Sequence, residues 1–255
     1  MRIGSEILLD SPFQEEEENV LDLRNLRNLV RHGEGLRLEF KMKVKFPEKI
    51  IKELVAFANT EGGHLFVGVS DAGVIEGVKF AEEEQFLLER AIDKYCFPVF
   101  SYRAYRIRLE NGREVLVYQV YESIDKPHFV QLSTDPHPVC YVRVKDRTIQ
   151  ASKEMKQILR RQNDDGISFA YGDIERFLLD YVRENGQITL AELAQQAQIP
   201  MWLASRKLVL LVLTRVLKIE PGCLPSMCFA RHRPGTKIRG CAPARRARPC
   251  CDTAG

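Results

Sequence analysis

The period of the hydrophobic pattern changes twice between residues 37 and 67, and this limits what the chain can fold into. In RLEFKMKVKF (37–46) the even positions, Leu38, Phe40, Met42, Val44 and Phe46, are apolar. The odd positions, Arg37, Glu39, Lys41, Lys43 and Lys45, are charged. Strict alternation predicts a strand with one buried face. Pro47 then stands at the first-turn position that proline tolerates, and PEKIIKELVAFAN predicts a helix ended by Asn59 and the pair Gly62-Gly63. HLFVGVS follows as a buried strand.

The charged face of the first strand carries four cations and a single carboxylate, an unusual composition for a solvated surface. Two readings stay open. The lysines could track a phosphate backbone, with Glu39 set among them as a metal ligand and Lys41 two residues on, on the same face. Equally, the face could be plain solvated surface holding a local Glu–Lys pair.

Further elements can be read along the chain. Val20, Leu21, Leu23, Leu26, Leu29 and Val30 fall at helical spacing within 17–33, with Gly33 as a C-cap. DAG (71–73) makes a turn and VIEGV returns the chain. Residues 82–95 predict a helix whose first turn is acidic, where the helix dipole favours acids. YRAYRIRLE, the dipeptide Asn111-Gly112 and REVLVYQVY predict a hairpin over 101–121. VCYVRVK (139–145) is a strand, a short helix lies near 152–161, and QNDDGISFA (162–170) is a linker.

A second unit is expected over 171–221. DIERFLLDYVREN is an amphipathic helix closed by Asn185-Gly186, and Thr189 with Glu192 spaces as a capping box for TLAELAQQAQ. Ile199-Pro200 breaks that helix and MWLASRKLVLLVLTRVL begins a third. Three short helices with a tight turn before the last form a helix-turn-helix layout, and KIEPG would start a wing. Trp202, Ser205, Arg206 and Lys207 fall early in the third helix, where a recognition helix meets base edges and phosphates; a small winged module equally serves as a dimerisation or docking piece. The apolar LVLLVL after them predicts a mostly buried helix.

From residue 222 the pattern dissolves into an irregular basic tail rich in Pro, Arg, Ala, Gly and Cys. This mix also arises when a GC-rich gene is read out of frame. The tail cysteines, Cys223, Cys228, Cys241, Cys250 and Cys251, lack the paired spacing of a zinc site. The net charge of +3 is misleading for the same reason: about +6 sits in residues 223–255, leaving the rest slightly acidic. Any case for nucleic acid must therefore rest on local patches. The length of 255 residues suits one large domain or a large and a small one. An acidic start (1–16) without a signal-peptide pattern, no apolar run long enough to span a bilayer, and an odd cysteine count lead us to expect a soluble cytoplasmic protein.

One string goes further. LRLEFKMKVKFPEKIIKELVAFANTEGGHLFVGVSDAGVIEGV resembles the Schlafen AlbA-type family, also described as AlbA-like or as a divergent ATP-binding domain. The residues that carry the likeness are Glu39-Phe40-Lys41, Ala56-Phe57-Ala58-Asn59-Thr60, Gly62-Gly63, Gly68-Val69, Asp71, Gly73, Ile75 and Gly77, with YVRVKDRTIQAS (141–152) as the closing strand. The likeness spans about residues 17–161. It implies an α+β fold with a curved mixed sheet and flanking helices. It also implies two activities. Animal Schlafens cut tRNA or rRNA with two glutamates five apart and a later aspartate; here these would be Glu34, Glu39 and Asp71, holding Mg²⁺ or Mn²⁺, with Lys41 on the phosphate. Bacterial relatives are described as DNA-binding regulators, often with a C-terminal helix-turn-helix. This chain has a shorter segment between Glu39 and Asp71 than the animal proteins and lacks their duplicated core, so a groove between two cores would require a homodimer.

Each of these residues has a plainer reading. Asp71 suits an ordinary turn, Glu34 a helix end, and Asn59 with Gly62-Gly63 helix termination and close packing. Neither phosphate-binding glycine loop is present, so an ATP-dependent switch has the least support. Arg103, Arg106, Arg108, Tyr141, Arg143 and Lys145 are candidates, with Lys41, Lys43 and Lys45, for stacking and phosphate contact; Tyr141, Arg143 and Lys145 alternate with Cys140, Val142 and Val144, which equally suits a plain amphipathic surface strand. The primary expectation is a DNA-binding transcriptional regulator that works as a homodimer on DNA or structured RNA. A metal-dependent endoribonuclease is the alternative.

Overall fold

The computed structural model describes residues 21–220 and 228–232. The acidic N-terminal extension and the tail beyond 232 lie outside these residues, as does its segment 221–227. The chain divides into two compact units, Met1–Asp165 and Gly166–Gly255.

The first unit is built on a four-stranded mixed sheet in the order β1-β2-β5-β4. β1 (Leu38–Lys41) runs parallel to β2 (Gly63–Val67), and both β2 with β5 (Glu114–Val120) and β4 (Tyr102–Arg108) with β5 pair antiparallel. Apolar side chains line both faces. On one face Leu65, Val67, Leu116, Tyr118 and Val120 pack against α2 (Pro47–Asn59) and α3 (Ala81–Tyr95) through Ile51, Leu54, Val55, Leu88 and Ile92. On the other, Phe40, Phe66, Val115 and Val117 pack against Leu26 and Val30 of α1 (Leu23–His32). Phe40 and Phe66, directly paired in register, stack at 6.0 Å. A short pair joins β3 (Cys96–Phe97) to β6 (Phe129–Val130). The hairpin of β7 (Tyr141–Val144) and β8 (Arg147–Gln150) packs Val142 with Cys140, Ala151 and Leu159 of α4 (Lys153–Arg161). The α+β class, the helices and the Asn111-Gly112 hairpin agree with the sequence reading.

The first strand does not. Alternation runs to Phe46, but β1 stops at Lys41. Its ladder partner ends first: β2 closes at Val67, and Gly68 turns away with φ 103°. A Cβ at Gly68 would lie 2.9 Å from Gly77 Cα, so only glycine fits. Beyond Val67 there is no strand edge left to pair with. The Lys41 carbonyl instead accepts from the Gly68 and Val69 amides, and the Val44 amide donates to the Glu84 carboxylate at 2.6 Å.

The second unit contains α5 (Asp173–Asn185), β9 (Gln187–Thr189), α6 (Leu190–Gln196), α7 (Met201–Leu213), β10 (Leu217–Glu220) and β11 (Cys228–Arg231). The three strands form an antiparallel sheet in the order β10-β11-β9. The Thr189–Glu192 capping box is formed as its spacing predicted. The sequence showed no strand at β9 and only irregular tail at β11. Yet β11 is the central strand, and its Phe229, 1% exposed, packs with Leu178, Val182, Leu193 and Leu208. A four-residue strand of mixed composition carries too little alternation to read. Its register comes from the two strands that flank it.

Candidate functional site

The charged residues of β1 enter the interior on the side of the sheet that faces α2. Glu39, opposite Leu65 in the ladder, is only 5% exposed. One of its carboxylate oxygens pairs with Lys41 and the other with Arg143 Nη2 at 2.7 Å. Arg143 projects from β7 and is itself buried. Its Nη2 also donates to the carbonyls of Gly35 (2.9 Å) and Leu38 (3.2 Å), and its Nη1 donates to Thr148 Oγ1 at 3.0 Å. The guanidinium lies over the Phe57 ring, 5.0 Å from the centroid. A fourth group completes the cluster. Glu53 of α2 brings Oε2 to 3.5 Å from Lys41 Nζ, an ion pair without hydrogen-bond geometry. Two carboxylates and two cations from three elements thus meet in a largely water-excluded corner.

Burial pushes the Glu53 carboxyl up to about 7, aided by the negative charge of Glu39 and opposed by Lys41 and Arg143. The Lys41 ammonium is pushed above its ordinary value: burial lowers it, but Glu53, Glu39 and Glu34 together prevail. Among the described residues, Glu53 Oε2 and Arg143 Nε are buried without a hydrogen-bond partner. Glu53 went unnoticed in the sequence because it reads as an exposed helix position. The available signal was its place beside Phe57 on the helical wheel, at the margin of the apolar stripe.

The proposed metal ligands Glu34, Glu39 and Asp71 differ in burial and in partners. Glu34 is exposed and accepts from the Phe40 amide at 3.0 Å. Partial burial raises its carboxyl, opposed by the Phe40 amide, and the charges of Glu39 and Asp71 add to the rise, so the three acids are electrostatic neighbours. Asp71 is exposed in the Ser70–Val74 turn, closed by hydrogen bonds between the Ser70 and Val74 backbones and from the Gly73 amide to the Ser70 carbonyl. Glu39 has both oxygens committed to cations. Among the described residues no group of three His, Cys, Asp or Glu side chains is placed to hold a metal ion.

The candidates for nucleic-acid contact divide. Lys41 and Arg143 point inward and serve the ion-pair cluster. Tyr141 is half-buried against the first core, its ring 5.5 Å from Lys52 Nζ. The strand pattern around Arg143 misleads because both faces of β7 are covered, one by α2 and the other by α4. Lys43, Lys45 and Lys145 are exposed, the last in the β7–β8 turn with φ 56°. In the second unit Arg206 is exposed, but Lys207 Nζ pairs with the buried Glu175 carboxylate at 2.5 Å, tying α7 to the start of α5.

The AFANT-GG string is structural. Asn59 Nδ2 donates to the His128 and Tyr141 carbonyls, both at 2.9 Å, while Asn59 Oδ1 accepts from the His128 amide at 2.7 Å. Thr60 Oγ1 donates to the Ala56 carbonyl and accepts from the Arg143 amide. A Cβ at Gly63 would meet the Phe57 ring at 2.6 Å. These contacts seat β7, and with it Arg143, over the end of α2. The string therefore builds the corner in which Glu39 is held.

Residues 34–152 match the family model described as Schlafen, AlbA_2. The match supports an AlbA/Schlafen-like family for the first unit and covers β1 through β8. No curated protein matches the chain. Among solved structures, the chain is similar to the N-terminal domain of an ATP-dependent DNA helicase RecG-related protein from Nitrosomonas europaea. Identity is 20% and the TM-score 0.38, over 46% of this chain and 86% of that one. It is also similar to the DIP2311 protein from Corynebacterium diphtheriae, with 19% identity and a TM-score of 0.37, over 58% of this chain and 29% of that one. No described helix is long and apolar enough to cross a membrane.

Proposed function

We propose that the chain is a nucleic-acid-binding protein, a DNA-binding transcriptional regulator acting as a homodimer, that meets duplex DNA through the second unit. The order of elements in that unit carries the reading. Helix, strand, helix, helix and two further strands, with the last strand between the other two, is the connectivity of a winged helix-turn-helix. The first turns of α7 leave Met201 (52%) and Trp202 (65%) exposed together with Arg206. A helix start that presents an arginine and large side chains to solvent suits insertion into a major groove. The AlbA/Schlafen-like match over the first unit supports a nucleic-acid role in general terms.

In this reading Glu39, Glu53, Lys41 and Arg143 hold the first unit together, and catalysis on them is not required. An endoribonuclease using Glu34, Glu39 and Asp71 would first have to free Glu39 from Arg143. One experiment separates the alternatives. Full-length protein is titrated into labelled duplex DNA, followed by fluorescence anisotropy, and is incubated in parallel with tRNA and Mn²⁺. The proposal expects salt-sensitive duplex binding and intact tRNA. It fails if duplex DNA is ignored at low ionic strength. Cleavage that disappears in Glu39→Ala would replace it with the nuclease.

A further inference from the structure

We infer that the first unit carries its own contact site for an unpaired nucleic-acid strand, centred on Phe46 at the start of α2. This goes beyond the duplex contact proposed for α7 and rests on the broader nucleic-acid reading.

Phe46 is the residue that the alternating pattern placed on the buried face. With β1 ended at Lys41 it is instead 51% exposed. Pro47 follows it, and the proline ring disfavours helical backbone in the preceding residue; Phe46 lies outside the helical region at φ −132° and ψ 81°. The ring is thus presented from a fixed backbone at the head of a thirteen-residue helix. Two ammonium groups accompany it: Lys45 Nζ lies 5.4 Å and Lys49 Nζ 5.0 Å from the ring centroid. Lys43 precedes them in the same loop, and Lys52 follows Lys49 one turn along α2, with Nζ 5.5 Å from the Tyr141 ring. Among the described residues none of these four lysines is ion-paired to a carboxylate. Lys41, which is paired twice, sits just before them.

An exposed aromatic ring with cations on both sides of it in sequence, none held by a carboxylate among the described residues and two lying over the ring itself, suits one partner chemistry, a base stacked on the ring with the lysines turned to its flanking phosphates. A duplex cannot supply it, because paired bases have their faces covered by their neighbours. An acidic peptide would satisfy the lysines and leave the ring without a planar partner. The row of lysines in the sequence therefore acquires a role that differs from the one its alternation implied. Lys41 belongs to the fold, while Lys43, Lys45, Lys49 and Lys52 face the solvent or its edge.

The test uses the full chain and a single-stranded DNA oligonucleotide carrying 2-aminopurine, whose fluorescence is quenched on stacking, alongside the labelled duplex. Base–aromatic stacking is worth about 1–3 kcal/mol per base. Phe46→Ala should accordingly weaken single-strand binding by about 5- to 150-fold and abolish the quenching, with duplex affinity unchanged. Phe46→Tyr should restore both, and Phe46→Leu should not. Arg206→Glu should do the reverse, weakening duplex binding and sparing the single strand. Single-strand affinity unchanged in Phe46→Ala, or full rescue by leucine, overturns the inference. Duplex binding by the native protein without any single-strand binding overturns it as well and leaves the α7 proposal standing. Single-strand binding without duplex binding does the opposite. An unchanged thermal midpoint for Phe46→Ala excludes loss of fold as the cause.

Discussion

Replacing Arg143 by methionine should unfold the first unit far more easily while leaving the second untouched. The guanidinium side chain is 1% exposed and that of Glu39 is 7% exposed, so the substitution leaves Glu39 buried with Lys41 as its remaining close partner. Breaking one side of a buried pair costs about 3–5 kcal/mol, much of it the penalty of the charge left behind. The carbonyls of Gly35 and Leu38 and the Thr148 hydroxyl lose a donor in the same step. For a unit of this size, each kcal/mol moves the thermal midpoint by about 2–4 °C. The first-unit transition, followed by differential scanning calorimetry of the full chain, should therefore fall by about 6–20 °C. The double variant Glu39→Gln/Arg143→Met should recover a substantial part, because neither charge is then stranded. A drop smaller than about 3 °C in the single variant, or a double variant that merely sums the two losses, would refute the claim that this pair is desolvated and coupled.

Other outcomes follow from the same geometry. Glu53 titrates at about 7 in the folded chain against 4.5 as its ordinary value. The folded state thus holds this proton more tightly, and the stability linked to it is present below pH 4.5 and lost as pH rises through 7. Denaturant unfolding should show Glu53→Gln gaining stability over the native protein at pH 8, with the gain gone by pH 4.5. Gly63→Ala drives a methyl into the Phe57 ring and should cost about 1–3 kcal/mol in the first unit, read by urea unfolding. Thr189→Ala removes one half of a formed capping box and should cost the second unit about 1 kcal/mol. Phe229→Ala should cost about 3–5 kcal/mol there, and a chain ended at Glu220 should lose the second unit's cooperative transition, since its central strand is gone.

The legible parts of this chain are those where a local signal and its tertiary setting agree. Gly33 caps α1, Pro47 opens α2, Asn111-Gly112 turns the β4–β5 hairpin and Thr189 caps α6, each because a backbone need is met by a residue type a few positions away. The RLEFKMKVKF stretch reads well to Lys41 and fails after it, because strand length is decided by where the neighbouring strand ends, at Gly68. The site residues are less legible for a similar reason. Glu39 and Lys41 were noticed, yet whether a carboxylate is a ligand or half of an ion pair depends on Arg143, more than a hundred positions along the chain, and on Glu53 across the helix. Spacing along one strand contains neither fact. Asn59 and Gly62-Gly63 were legible in their plainer sense, as helix-ending and close-packing residues. β11 was missed because nothing within CFAR marks it as central.

The proposal that duplex DNA meets α7 is tested most directly by the slope of log binding constant against log salt concentration, measured for the full chain and for Arg206→Glu. A phosphate or base-edge contact by Arg206 predicts a salt-sensitive native protein and a variant that binds more weakly with the slope reduced by about one. No duplex binding at low salt, or identical slopes and affinities for the two proteins, would contradict it.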